Sequence, residues 1–396
     1  MNKSKMKSVD LSQINIDKIK SIISENSSDM AFVIGNGIHR YNNNKNWSWE
    51  YLLKIFWNGN EHEKIEKIPD GISFTEFYDI IEMHSNDIFR NLSSLRLLDN
   101  NMKINDTFMK LPGNINDLNE IYRSRSKTGE DVLNKNMIEI PYNFQNPIYK
   151  EFAKGSELFQ KIQDFERERM KGLQYKIADL MMKLKPDNHH FKITERIHCL
   201  NIPILTTNYD YVLNDCLNLN YYRIGKSNFS TIHPWSGYFG LEQQYHIPDG
   251  FGVWNINGTI KYPQSIKLGL NQYMATVVKA RKMIQGNNVE SNENYNGKNT
   301  SNWIGRNTWL HLIFNKNLFI FGLALEENEI PLRWLLIQRA IYYTKFPNRK
   351  YNGWYVTTDS EMKDKKNEGK FFFLKNMGFE IIPLNDYKDI YENIWD

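Results

Sequence analysis

Short apolar runs that end in glycine or polar residues, with helical-period stretches between them, constrain this chain more than any other feature. Met30-Ala31-Phe32-Val33-Ile34 has no polar position and stops at Gly35. That is the pattern of a strand covered on both faces in a parallel sheet. Comparable runs follow at Ile202-Pro203-Ile204-Leu205, Val253-Trp254-Asn255-Ile256, Ser265-Ile266-Lys267-Leu268, Leu318-Phe319-Ile320-Phe321, Trp354-Tyr355-Val356-Thr357 and Glu380-Ile381-Ile382. Helical patterns over 11–24, 49–56, 209–217 and 330–343 stand between several of them. Strands alternating with helices predict an α/β chain with a Rossmann-like, doubly wound parallel sheet.

A chain of 396 residues exceeds what one core ordinarily organises, so two or three structural units are expected. Between about Trp57 and His190 strand-like runs become scarce and helical patterns dominate, notably over 74–83 and 152–184. In the latter, Phe159, Ile162, Phe165, Arg169 and Leu173 recur at helical spacing. The organisation expected is an N-terminal helix over 1–27, a discontinuous core over 28–57 and 191–396, and a large helical insertion over 58–190. Residues 286–302, rich in Asn, Gly and Ser, are expected to form a mobile surface loop.

The 50 basic and 46 acidic side chains leave a net charge of only +4, and the cations are scattered rather than gathered in a stripe. Direct nucleic-acid binding is therefore disfavoured. Cys199 and Cys216 are too far apart in sequence for a zinc ribbon, and so few cysteines suit a reducing cytoplasm. The polar start of the chain has no secretory signal, and no apolar stretch is long enough to span a bilayer. These features predict a cytoplasmic protein without a membrane segment.

Two turns carry the candidate chemistry. Gly35-Asn36-Gly37 follows the first apolar run, where small residues let a pyrophosphate approach backbone N–H groups. A bare Gly-x-Gly is also common in ordinary turns, and the third glycine of the dinucleotide fingerprint is missing. Ile204-Leu205-Thr206-Thr207-Asn208-Tyr209-Asp210 is more informative: an apolar strand ends in polar side chains at the sheet edge where ligands of this architecture bind. Helix capping by Thr206 or Thr207 is the plain alternative for the threonines alone.

This second string resembles the Thr-Gln-Asn-x-Asp motif of the sirtuin family, and more closely the Thr-Thr-Asn-Tyr-Asp form of bacterial sirtuin-like defence proteins. The family's Gly-Ala-Gly-x-Ser corresponds to Gly35-Asn36-Gly37-Ile38-His39, and Ser48-Trp49-Glu50-Tyr51-Leu52-Leu53 is similar to the bacterial branch. Phe319-Ile320-Phe321-Gly322-Leu323-Ala324-Leu325-Glu326 resembles the family's late strand-Gly-x-Ser turn. The resemblance covers about 28–57 and 195–385, with the motifs in the family's order. It implies NAD as bound substrate. Asn208 would stand near the nicotinamide ribose and position the water or a ribose hydroxyl, and Asp210 would anchor the turn or the nicotinamide side. Gly35, Asn36 and Gly37 would lie on the diphosphate, with His39, Thr206 and Thr207 beside them, and Gly322 and Leu323 on the adenosine. Glu326, Glu327 and Glu329 are candidates for ribose hydroxyls, although acidic residues opening the helix over 330–343 stabilise its positive end without any ligand.

The sequence departs from the family at the catalytic histidine. Trp254-Asn255-Ile256-Asn257-Gly258 carries asparagine at both candidate positions, 255 and 257, which share a strand face. An amide orients a water but does not accept a proton near neutral pH. Three consequences stay open: a His→Asn change at 255 that silences an enzyme, a protein that only binds NAD, or a cleavage that needs no base. Among other histidines, His233 is expected to have a structural role at the pocket rim. His189-His190 is expected in a solvated loop, with no carboxylate or cysteine at metal-ligand spacing.

The resemblance implies an NAD glycohydrolase that releases nicotinamide and ADP-ribose without a metal and serves anti-phage defence. The alternative is a non-catalytic subunit that binds NAD or ADP-ribose and regulates a defence complex. Expected partners are further copies of the chain and a second defence protein, such as a HerA-type ATPase ring or a nucleotide-sensing subunit. The helical insertion is the expected contact surface.

Overall fold

The computed structural model describes residues 11–42, 48–58, 64–84, 172–225, 233–285 and 303–396. Most of the expected insertion and the loop over 286–302 lie outside the described residues. The chain divides into a larger unit, Met1–Leu53, Ile68–Tyr78 and Gln174–Asp396, and a smaller one, Lys54–Lys67 and Asp79–Leu173. The features below belong to the larger unit.

Its centre is a sheet of eight strands: β1 (Met30–Ile34), β2 (Ile204–Thr206), β3 (Asn220–Arg223), β4 (Gly237–Gly240), β5 (Val253–Asn255), β6 (Asn317–Phe321), β7 (Gly353–Thr358) and β8 (Phe379–Leu384). Their order is β3-β4-β5-β2-β1-β6-β7-β8. All pairings from β5 to β8 are parallel, and only β3·β4 and β4·β5 are antiparallel. This is the α/β, Rossmann-like arrangement anticipated from the alternating pattern, with an antiparallel edge added.

β1 has no polar residue because both of its faces are covered. Ala31 and Val33 join a core containing Leu205, Trp254, Leu318, Ile320, Leu332 and Leu335. Met30, Phe32 and Ile34 point the other way, to Ile204, Val253, Phe319 and Trp395. The first face is filled by the helix Ile330–Lys345, the second by the helices Leu11–Asn26 and Asn188–Cys199. In the N-terminal helix Ile16, Ile19 and Ile23 are buried, while Ile14 is exposed.

The chain runs from β1 outward to β2 and then returns to lay β6 on the other side of β1. The carboxyl ends of β1, β2 and β6 therefore lie side by side where the winding reverses, the place at which doubly wound sheets bind ligands.

Three expectations of local structure are corrected. The run 265–268 is not a strand: Pro263–Ser265 forms a 3-10 turn, and the Ser265 hydroxyl is tied to the Thr259 backbone. The helix expected over 209–217 shrinks to Val212–Asp215, because Asn208 and Asp210 hold the preceding residues in a turn. His189 and His190 are buried in the first turn of Asn188–Cys199, not in a solvated loop. Among the described residues no helix is long and apolar enough to cross a membrane.

Candidate active site

The first and third of the three adjacent turns meet backbone to backbone. Gly37 N–H donates to the Gly322 carbonyl at 2.7 Å, and Gly35 N–H to the Phe321 carbonyl at 3.4 Å. A Cβ on Gly37 would stand 2.5 Å from Tyr391 Oη and 2.7 Å from the Gly322 carbonyl oxygen, so only glycine fits. Gly322 adopts φ +63, which lets the chain reverse out of β6. The amides of Gly35 and Gly37 thus serve this junction, and the glycines are explained by close packing. Leu323 is buried, Leu325 adopts φ +49, and Arg333 donates to the Leu325 carbonyl at 3.0 Å. Glu326 is exposed.

The second turn is braced from within. The Thr206 hydroxyl donates to the Ile34 carbonyl at 2.9 Å and accepts from Asn208 N–H at 3.1 Å. Thr207 N–H donates to the same Ile34 carbonyl at 3.3 Å. Asp210 Oδ1 accepts from Val212 N–H at 2.9 Å, so the aspartate holds the start of the short helix and neither threonine does. Thr206, Thr207, Asn208 and Asp210 are all buried.

His39 links the turns. Its Nε2 lies 3.0 Å from Asp210 Oδ2, and its Nδ1 lies 3.1 Å from His190 Nε2. Asp187 N–H donates to His190 Nδ1 at 2.9 Å, which places the His190 proton on Nε2, facing His39 Nδ1. His39 then carries its own proton on Nε2 and directs it at Asp210. Asn208 Nδ2 packs 3.1 Å from that nitrogen and donates to the Gly35 carbonyl at 3.3 Å. Burial pushes the Asp210 carboxyl up, but His39 and the Val212 N–H outweigh it and hold the group below the usual carboxylate range. Burial, with the neighbouring histidines, lowers His190 to about 2. The motif reading placed His39 at the site but missed His190, which lies 151 residues away in sequence.

Asp187, His189 and His190 bring ligand atoms within 4.8 Å of one another, so a carboxylate does stand near the histidine pair. Both His190 nitrogens are engaged, however, and His189 Nε2 donates to the Ile38 carbonyl at 2.7 Å. Holding a metal there would dismantle the helix start and the link to His39.

The turn after β5 completes the cluster. Asn255 Nδ2 donates to the Asn208 carbonyl at 2.8 Å, and Asn257 is buried beside it before Gly258. Asn255 Oδ1, Glu329 Oε2 and His233 Nε2 are buried without a partner among the described residues. His233 Nδ1 lies 3.4 Å from the Ser265 carbonyl. Burial first, then Lys267, lowers His233 to about 4, so it is neutral near pH 7. A buried polar atom left without a partner suits a polar ligand that would complete its bonds. No family model matches the chain, and no curated protein matches it.

Proposed function

We propose that the chain binds NAD across the carboxyl ends of β1, β2 and β6 and hydrolyses its nicotinamide N-glycosidic bond, as a sirtuin-like glycohydrolase effector of bacterial anti-phage defence. The observation that carries this reading is the junction of the Gly35–Gly37, Asn208 and Gly322 turns where the winding of the sheet reverses. The adenosine end fits against Gly322, Leu323 and Glu326, the diphosphate along Asn36, and the nicotinamide ribose toward Asn208, Asn255 and Asn257. Departure of nicotinamide leaves an oxocarbenium-like ribose, which buried amides and carbonyl dipoles stabilise without solvent reorganisation. Asn208 orients the water, while His39 and Asp210 keep Asn208 in place.

The alternative, a non-catalytic subunit that binds NAD or ADP-ribose, is favoured by one observation. The Asn255 amide is committed to the Asn208 carbonyl, and neither 255 nor 257 offers an imidazole. Control by further copies of the chain, a HerA-type ATPase or a nucleotide-sensing subunit belongs to the same proposal.

The test is release of nicotinamide from NAD by the purified chain, by Asn208→Ala and by Asn255→His. The glycohydrolase reading expects release by the unaltered chain, or by Asn255→His alone where asparagine at 255 silences the enzyme, and a fall on the order of 100-fold when the releasing form carries Asn208→Ala. Binding of NAD with no release by any of the three supports the regulatory alternative.

A further inference from the structure

We propose that His190 is a positioning residue of this site: the N–H it gives to His39 fixes the tautomer of that ring and, through it, the placement of Asn208. The inference rests on the glycosidic-cleavage reading above.

An ordinary capping role explains only half of His190. It stands in the first turn of the helix Asn188–Cys199, where its Nδ1 accepts from Asp187 N–H at 2.9 Å. That bond secures the helix start and asks nothing of the other nitrogen. Yet Nε2 reaches across the fold to His39 Nδ1 at 3.1 Å, with both side chains buried. The neighbouring His189 reaches the same segment, donating to the Ile38 carbonyl at 2.7 Å. Two successive residues of one helix start thus grip Gly37–Arg40, the short helix that follows the first turn.

The chain of bonds has one polarity. A backbone N–H can only donate, so His190 Nδ1 accepts from Asp187 and His190 Nε2 carries the proton. His39 Nδ1 must then accept, which leaves the His39 proton on Nε2, 3.0 Å from Asp210 Oδ2. Asp210 Oδ1 is taken by Val212 N–H, so the carboxylate is held at both oxygens. Asn208 Nδ2 packs 3.1 Å from His39 Nε2 and donates to the Gly35 carbonyl at 3.3 Å. Its Oδ1 is thereby left to orient the water. In the opposite tautomer a bare Nε2 would repel the Asp210 carboxylate and draw the Asn208 N–H to itself, turning the amide. A displacement of about 1 Å at such a group costs on the order of 100-fold in rate. Burial first, with His39 and His189, lowers His190 to about 2, so the polarity of the chain holds across the working pH range.

The test compares the full unaltered chain with His190→Gln and His190→Met. Both substitutions remove the ring nitrogen that accepts from Asp187 N–H, so both should lower the urea midpoint alike. Only Gln keeps an N–H within reach of His39 Nδ1. Nicotinamide release is measured in whichever background cleaves NAD, unaltered or Asn255→His. It should stay within about threefold for His190→Gln and fall on the order of 10-fold or more for His190→Met, with NAD affinity by calorimetry within about threefold in both. Nitrogen NMR spectra of the rings should show His39 protonated on Nε2 in the unaltered chain and in His190→Gln, and a mixture of tautomers in His190→Met. Equal release by the Gln and Met variants overturns the inference while leaving the cleavage reading standing. His39 protonated on Nδ1 in the unaltered chain overturns it with no variant needed. Binding of NAD without release in either background overturns the cleavage reading and this inference together.

Discussion

His39 Nε2 stands 3.0 Å from Asp210 Oδ2, with the two side chains only 2% and 4% exposed. Removing one partner strands the other in the interior. His39→Ala should cost about 3 kcal/mol or more in urea unfolding, because the Asp210 carboxylate loses its main stabilising neighbour. In an Asp210→Asn background the same substitution should cost less than half as much. Equal costs in both backgrounds would show that the pair is not coupled.

Acid should destabilise the fold well above the carboxylate range. Burial lowers His189 and His190, the latter to about 2, and lowers His233 and His311 to about 4. These groups bind fewer protons folded than unfolded, so their contribution is full above the unfolded value near 6.5 and falls as pH drops toward the folded values. Stability measured at pH 5 should be lower than at pH 7.5 by on the order of 2 kcal/mol or more. His190→Gln should flatten part of that slope. A stability curve level between pH 7.5 and 5 would refute the neutral buried histidines.

Gly37→Ala tests the junction of the first and third turns. The added methyl meets the Gly322 carbonyl as well as Tyr391 Oη, so removing the hydroxyl alone gives no space. A loss of about 1–3 kcal/mol is expected in chemical denaturation. Adding Tyr391→Phe should not restore it.

Arg339 supplies a test of the scaffold away from the site. It is buried, and its Nη2 donates to the carbonyls of Lys316, Tyr351 and Asn352 at 3.2, 3.1 and 2.9 Å. Arg339→Met should cost about 2–4 kcal/mol by removing the donor shared by these buried carbonyls, of which only Asn352's also accepts from Leu318 N–H among the described backbone bonds. NAD binding by the folded fraction should be unchanged, which separates scaffold effects from site effects.

The parallel core was legible because β1, β6 and β7 are buried on both faces and write that burial as unbroken apolar runs. The edge was not. Asn220–Arg223 is a partly exposed strand with polar ends, and Gly237–Gly240 is bounded by glycines. The helix Leu270–Gln285 buries Tyr273, Thr276, Ala280, Met283 and Ile284, but exposed Met274 and Val278 blur that stripe. At the site, Asn208, Asp210 and His39 stood out because their motifs are local in sequence. His190 did not, since its place depends on a contact across the fold that no local spacing encodes.

The central claim is that the Gly37, Asn208 and Gly322 turns form one NAD site. A crystal of the chain grown with NAD tests it most directly. The account predicts density for NAD or ADP-ribose with the adenosine against Gly322–Leu325 and the nicotinamide ribose between Asn208 and Asn257. Density bound elsewhere on the chain, or none at NAD concentrations that saturate it in calorimetry, would contradict the account.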